Sequence, residues 1–172
     1  RFGRVVMRLG KLLRHLIWPD WWVLRAFPKS ALRVIERAIA DSERKHQGEI
    51  RFVVEANLPM HGLLREQSPR ARAIELFSQL GIWDTEHNSG VLIYVQLLDR
   101  CVEIVADRGI HAKVGDVFWN AICRRMEAAF REGQFESGAL QALKEMTAAL
   151  AEHFPASVDD NPNELPNAPL IR

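Results

Sequence analysis

The sequence predicts a mixed α/β domain preceded by a basic amphipathic helix. Three observations carry that reading: apolar runs of strand length around residues 48–58, 90–98 and 101–107, helical apolar stripes between and after them, and basic side chains crowded into the first 26 positions. At 172 residues, 48% hydrophobic and 26% charged, the chain suits one packed core with extra length at its ends.

The opening stretch, "RFGRVVMRLGKLLRHLIWPDWWVLRAFP", returns Val5, Val6, Leu9, Leu12, Leu13, Leu16 and Ile17 at steps of three and four, the spacing of an amphipathic helix. Trp18, Trp21 and Trp22 gather around Pro19 at its end. Such a helix can lie in a membrane interface, or it can pack on its own domain or on a second subunit with its basic groups solvated. A second helix is predicted from Pro28, with Leu32, Ile35 and Ile39 on one stripe, to end near His46 to Gly48.

"GEIRFVVEANL" sets Ile50, Phe52 and Val54 against Arg51, Val53 and Glu55, the alternation of a strand with one well-covered face. "PRARAIELFSQLG" then places Ala73, Leu76, Phe77 and Leu80 at helical spacing and stops at Gly81. The almost continuously apolar "GVLIYVQLL" from Gly90 suits a central strand covered on both faces. Strand, helix and strand in that order predict a parallel crossover. Asp99 and Arg100 interrupt the run before "CVEIVAD", which predicts an antiparallel hairpin. Two more helices follow, striped by Trp119, Ile122, Met126 and Ala129, and by Leu140, Leu143, Thr147 and Leu150, with Gly133 as a stop and Ser137 as the next cap. The Pro- and Asn-rich end, "PASVDDNPNELPNAPLIR", reads as an extended or disordered tail.

Composition narrows the function. Six basic residues, Arg1, Arg4, Arg8, Lys11, Arg14 and Arg25, face only Asp20 in the first 26, so with a formal net charge of +1 the remainder is mildly acidic. A mildly acidic domain lacks the basic face that nucleic acid requires. No GxGxxG follows a strand and no GxxxxGK[ST] occurs, so no nucleotide cofactor is signalled. Cys101 and Cys123 form neither a CxxC pair nor a zinc spacing. No apolar run approaches the roughly 18 residues of a membrane span, and a segment removed before Arg1 stays open.

The hairpin sorts polar residues to two ends of the sheet. Glu55 and Asp99 fall at one end, where strand-flanking carboxylates could serve acid–base hydrolysis. Asp84, Glu86, Asn88 and Asp107, with His87 and His111 nearby, fall at the other. Carboxylates plus an amide carbonyl are donors for a hard cation, Ca2+ or Mg2+, and a cation there could polarise a phosphoryl group. The alternative is that these residues are solvated turn residues. Ser89 lacks a nucleophile-elbow pattern, His61 and His153 read as surface residues, and Trp119 reads as core.

In order and spacing, "SGVLIYV", "DRCVEIVADRGI", the Trp119 helix, "FREGQFESG" and "LAEHFP" resemble the TPM domain family over roughly residues 50–154. Its members include a thylakoid-lumen acid-phosphatase-like protein and bacterial proteins described as predicted membrane proteins. The resemblance implies a three-layer α/β/α sandwich and divalent-cation binding, with phosphatase activity in some relatives. Ser89 stands where members commonly carry Asn before the strand-opening Gly, and Asp84 and Glu86 make a thinner acidic loop.

The resulting expectation is a leader at 1–27, a TPM-like domain at 28–154 and a tail at 155–172. It functions as a binding or accessory domain of a bacterial envelope or membrane-associated protein, with a cytoplasmic location as the alternative. Asp84, Glu86, Asn88 and Asp107 form a weak cation site, and residues 1–27 meet a membrane surface or protein partner. The other function class is a metal-assisted phosphomonoesterase, with Arg108 pairing to substrate phosphate.

Overall fold

The computed structural model describes residues 21–57, 67–157 and 162–172. Most of the basic leader, and His61, lie outside the described residues. The described part begins with α1 (Trp21–Ala26) and α2 (Lys29–Glu43), followed by β1 (Glu49–Glu55), α3 (Pro69–Gln79), β2 (Gly90–Gln96) and β3 (Cys101–Ala106). Then come α4 (Arg108–Val114), α5 (Asp116–Arg131), α6 (Phe135–His153) and the short β4 (Leu170–Ile171).

The sheet runs β3-β2-β1-β4. β1 and β2 pair in parallel from Glu49 opposite Gly90 to Glu55 opposite Gln96, so the crossover through α3 is as the apolar pattern required. β2 and β3 form the antiparallel hairpin, closed by a four-residue turn in which Arg100 N–H donates to the Leu97 carbonyl. All seven residues of β1 and of β2 are buried, which explains the unbroken apolar reading of β2.

Strand alternation divides the core into two layers. On one face Ile50, Phe52, Val54, Val91, Ile93, Val95 and Ile104 pack against α2, α5 and α6. On the other, Val53, Leu92, Tyr94 and Val105 meet Ala73 and Leu76 of α3, with Ile82 and Leu165. The result is the three-layer α/β/α sandwich. Phe27 holds α1 to the first layer through edge contacts with Phe52, Phe130 and Phe135.

Three local features differ from the sequence expectation. Helix α2 ends at Glu43, capped at Arg44, a few residues before His46. Ser137 is not a cap, because α6 already starts at Phe135 behind Gln134. Phe135 is anchored on Phe27 and Phe130, and Gly138 N–H closes the first turn on the Gln134 carbonyl, so packing sets the start. A further short helix, α4, follows β3 at once, with the Asp107 carboxylate accepting from Arg108 N–H at 2.6 Å.

The end of the chain is extended and docks on the sheet. β4 pairs in parallel with β1, and Ala56 N–H donates to the Arg172 carbonyl while Arg172 N–H donates to that of Val54. Arg51 reaches across to the carbonyls of Pro166 and Ala168, and Glu49 accepts from Leu165 N–H at 3.1 Å. Arg51, which alternation set opposite the apolar face, and Glu49 thus clamp the last segment.

Gly90 opens β2 where the backbone of Ile82 passes close: a β-carbon there would stand 1.9 Å from the Ile82 carbonyl oxygen. Neither segment is a flexible side chain, so the strand start must shift to admit a methyl group. Gly90→Ala is expected to destabilise the domain by about 2–4 kcal/mol, read as a lower urea midpoint. An unchanged midpoint would show that the Ile82 loop yields freely.

Candidate functional site

The loops before β2 and after β3 meet at the end of the sheet where β1 and β2 begin. Asp107 N–H donates to the Gly90 carbonyl at 2.9 Å, and Gly109 lies so close to the preceding loop that a β-carbon would approach the Asn88 carbonyl to 2.8 Å. The 85–89 turn is fixed from within. Asn88 N–H reaches the Thr85 carbonyl, Ser89 N–H reaches the Thr85 hydroxyl, and Asn88 takes a left-handed φ of 49°, which an asparagine tolerates well.

Of the residues nominated for a cation, Asp107 and Asn88 are brought to neighbouring backbone, while Asp84 and Glu86 lie exposed on the same loop. Asp107 commits one carboxylate oxygen to the α4 cap; the other is buried and makes no hydrogen bond among the described residues. Among the described residues, no group of three or more His, Cys, Asp or Glu side chains is gathered as metal ligands. Arg108 is exposed, and its backbone serves the cap. Ser89 is buried and donates its hydroxyl to the Gln47 carbonyl at 2.8 Å, so it ties the loop to the segment before β1. His111 stands 3.7 Å from Asp116 at the surface.

A carboxylate that sequence reasoning missed also reaches this loop: Glu164, from the docked end of the chain, accepts from Glu86 N–H. Beside it runs a row of buried polar groups. Glu43 accepts from Ile50 N–H at 2.8 Å, and burial pushes its carboxyl up to about 8; Glu49 is raised by the same cause. His46 is fully buried, with Nδ1 accepting from Gly48 N–H and Nε2 at 2.7 Å from the Ser42 hydroxyl. With Nδ1 as acceptor, Nε2 carries the proton, and hydroxyls continue the chain from Ser42 to Thr147 to the Leu143 carbonyl. Burial holds His46 down at about 4, in its neutral form. No motif spacing marks these residues; Thr147 read only as part of an apolar stripe.

At the opposite end of the sheet, Glu55 does not stand free for acid–base work. Arg72 donates to both of its oxygens, at 3.1 and 2.6 Å, and Tyr94 donates its hydroxyl at 2.9 Å. Arg72 also pairs with Glu75 at 3.0 Å. Burial and the adjacent carboxylate push the Tyr94 phenol above its ordinary range, and Glu55 does the same for the Arg72 guanidinium. The cysteines are free thiols, pushed up to about 12 chiefly by burial, which disfavours the thiolate form.

Two predictions concern these groups. A folded-state pKa above the ordinary 4.5 means that folded Glu43 keeps a proton the unfolded chain has released, so its contribution is complete at low pH and lost as pH rises through about 8. His46 has the opposite sign: its contribution is complete above 6.5 and lost as pH falls through about 4. The two slopes oppose between 4.5 and 6.5, and above that window Glu43 acts without His46. The urea midpoint is therefore expected to fall from pH 6.5 to 8, and Glu43→Gln, which keeps an acceptor for Ile50 N–H, to flatten that fall. An unchanged slope in the variant counts against the assignment. Separately, Arg72→Ala should cost about 3–5 kcal/mol by leaving Glu55 buried without its cation, while Arg72→Met with Glu55→Leu should restore most of it. A double-mutant cycle by urea denaturation measures both, and additive losses would argue against coupling.

Comparison with known proteins places this geometry. The family model described as the TPM domain matches residues 25–149. Among solved structures, the NMR structure of BA42 protein from the psychrophilic bacterium Bizionia argentinensis superposes with a TM-score of 0.73 at 31% identity, covering 83% of this chain and 93% of that one. The N-terminal domain of a P. gingivalis protein matches at a TM-score of 0.41 and 18% identity, over 71% of this chain and 93% of that one. No curated protein gives a significant match.

Proposed function

This chain belongs to the TPM domain family, and on that premise we propose that it is a binding or accessory domain of a bacterial envelope or membrane-associated protein, with a low-affinity divalent-cation site where the 84–90 loop meets Asp107. The observation that carries the site is the half-used Asp107 carboxylate. One oxygen is fixed by the α4 cap, and the other is buried without a hydrogen bond among the described residues, beside a loop whose Asn88 carbonyl faces the first turn of α4. A buried carboxylate oxygen is costly without a partner, and a hard cation is a partner of matching chemistry.

Affinity is held down by two features. Asp84 and Glu86 are exposed, and among the described residues no group of three His, Cys, Asp or Glu side chains forms around Asp107. Mixed carboxylate, amide and carbonyl oxygens suit the flexible coordination of Ca2+ better than the strict octahedron of Mg2+. The membrane half of the proposal rests on the basic, tryptophan-rich leader; among the described residues no helix is long and apolar enough to cross a membrane.

Titration of the full chain with Ca2+ and then Mg2+, followed by amide NMR, tests the site. Saturable shifts at millimolar metal, confined to residues 84–90 and 107–111, stronger for Ca2+ and lost in Asp107→Asn, are expected. That substitution retains an oxygen for the cap, so lost binding would not reflect a lost helix. Absence of shifts at about 10 mM metal would remove the cation from the proposal. Metal-dependent phosphomonoester hydrolysis abolished by the same substitution would instead establish the phosphatase class.

A further inference from the structure

A hollow of about 320 Å³ lies at the other end of the sheet, against the hairpin turn between β2 and β3. Three guanidinium-bearing residues line it from three elements: Arg25 of α1, Arg100 of the turn and Arg131 at the end of α5. Trp22 and Phe135 supply apolar wall, and Gly133 opens the rim. No carboxylate lines it among the described residues; Glu127 stands 3.8 Å from Arg131 and also accepts from Val102 N–H.

The backbone at Arg100 is the second observation. It holds a left-handed φ of 51°, a conformation in which glycine or asparagine is at ease and a long side chain is not. The chain's other non-glycine case among the described residues, Asn88, follows the preference; Arg100 departs from it. Glycine would meet a turn requirement better, so an arginine at position 100, one of the residues lining the hollow, points to a use for its guanidinium there. The C-terminal end of α5 would oppose an anion, but the carbonyls of Ala128, Ala129 and Phe130 are occupied by the N–H groups of Glu132, Gly133 and Gln134.

We propose that this hollow binds a phosphate group, with Arg25, Arg100 and Arg131 as its cationic ligands, independently of the cation site on the far side of the sheet. Guanidinium groups supply forked donors matched to phosphate oxygens, and a volume near the lower bound of ligand pockets, roughly 300–1,000 Å³, admits a phosphate with part of what it is attached to. Two sources share that chemistry: a soluble phosphate monoester, or the headgroup of an anionic lipid. The exposed Trp21 and Leu24 on α1, beside Trp22 and Arg25, form the kind of rim that enters a bilayer interface.

The experiment has two arms on the full chain. In the first, inorganic phosphate is titrated while the Nε–H signals of arginine are followed by NMR. Saturable shifts at Arg25, Arg100 and Arg131 are expected, with affinity about tenfold weaker in Arg100→Gly, whose thermal midpoint should stay level or rise because glycine suits the turn. Arg131→Gln, away from the turn, serves as the second variant if Arg100→Gly fails to fold. In the second arm, vesicles of phosphatidylcholine with and without phosphatidic acid are sedimented with the chain. The basic leader contributes equally to each variant, so Lys144→Gln, on exposed α6 surface, is the matched control for lost charge. Retention weakened at least fivefold in Arg100→Gly relative to Lys144→Gln assigns the lipid source. Equal retention alongside phosphate binding in the first arm assigns the soluble source. No saturable shift in the first arm together with equal retention in the second, or phosphate affinity unchanged in both arginine variants, overturns the proposal.

Discussion

The parallel register of β1 against β2 is the constraint on which the rest of this structure depends. Seven consecutive residue pairs, all buried on both strands, leave no alternative register that keeps the apolar side chains covered on both faces. Parallel pairing demands a crossover, which α3 supplies, and it fixes the beginnings of both strands at one end of the molecule. Gly90 marks how tightly that beginning is packed against Ile82. Once β3 turns back along β2, every polar residue flanking a strand is assigned to one end or the other.

Most charged residues within the sheet are then used to hold it together. Glu55, Arg72 and Tyr94 satisfy one another between the sheet and α3, a buried trio whose value lies in completeness: each member is hydrogen-bonded, and removing one exposes the desolvation cost of the others. At the other end Glu49 and Arg51 are spent on the returning end of the chain. Four charged residues that could read as chemistry thereby become architecture, and the candidate cation site is left with what remains, chiefly Asp107.

The core was legible in the sequence because burial leaves a periodic trace. The crossover, the hairpin and the helices α2, α3, α5 and α6 all follow from apolar spacing that the structure uses as read. Helix starts were less legible where packing sets them: Phe135, wedged between Phe27 and Phe130, starts α6 before the nominal cap at Ser137. The docking of residues 162–172 left almost no trace. Its strand is two residues long, and its anchors are backbone carbonyls accepting from Arg51, which no side-chain pattern encodes. The meeting of Asn88 with Gly109 was predictable from topology, but the use of half the Asp107 carboxylate as a cap was not, because α4 is too short to show a stripe.

The two ends of the sheet can act independently, and the separation argues it. β3 alone joins Arg100 to Asp107; its six residues span about 20 Å at ~3.3 Å per residue. That exceeds the Debye length of about 8 Å at physiological ionic strength, so charge at one end barely perturbs binding through solvent at the other. One end carries Asp84, Glu86, Glu164 and Asp107, whereas the opposite end carries Arg25, Arg100 and Arg131. The two proposed sites thus ask for opposite charge at opposite ends: carboxylates stand where the cation is proposed, and guanidinium groups where the phosphate is.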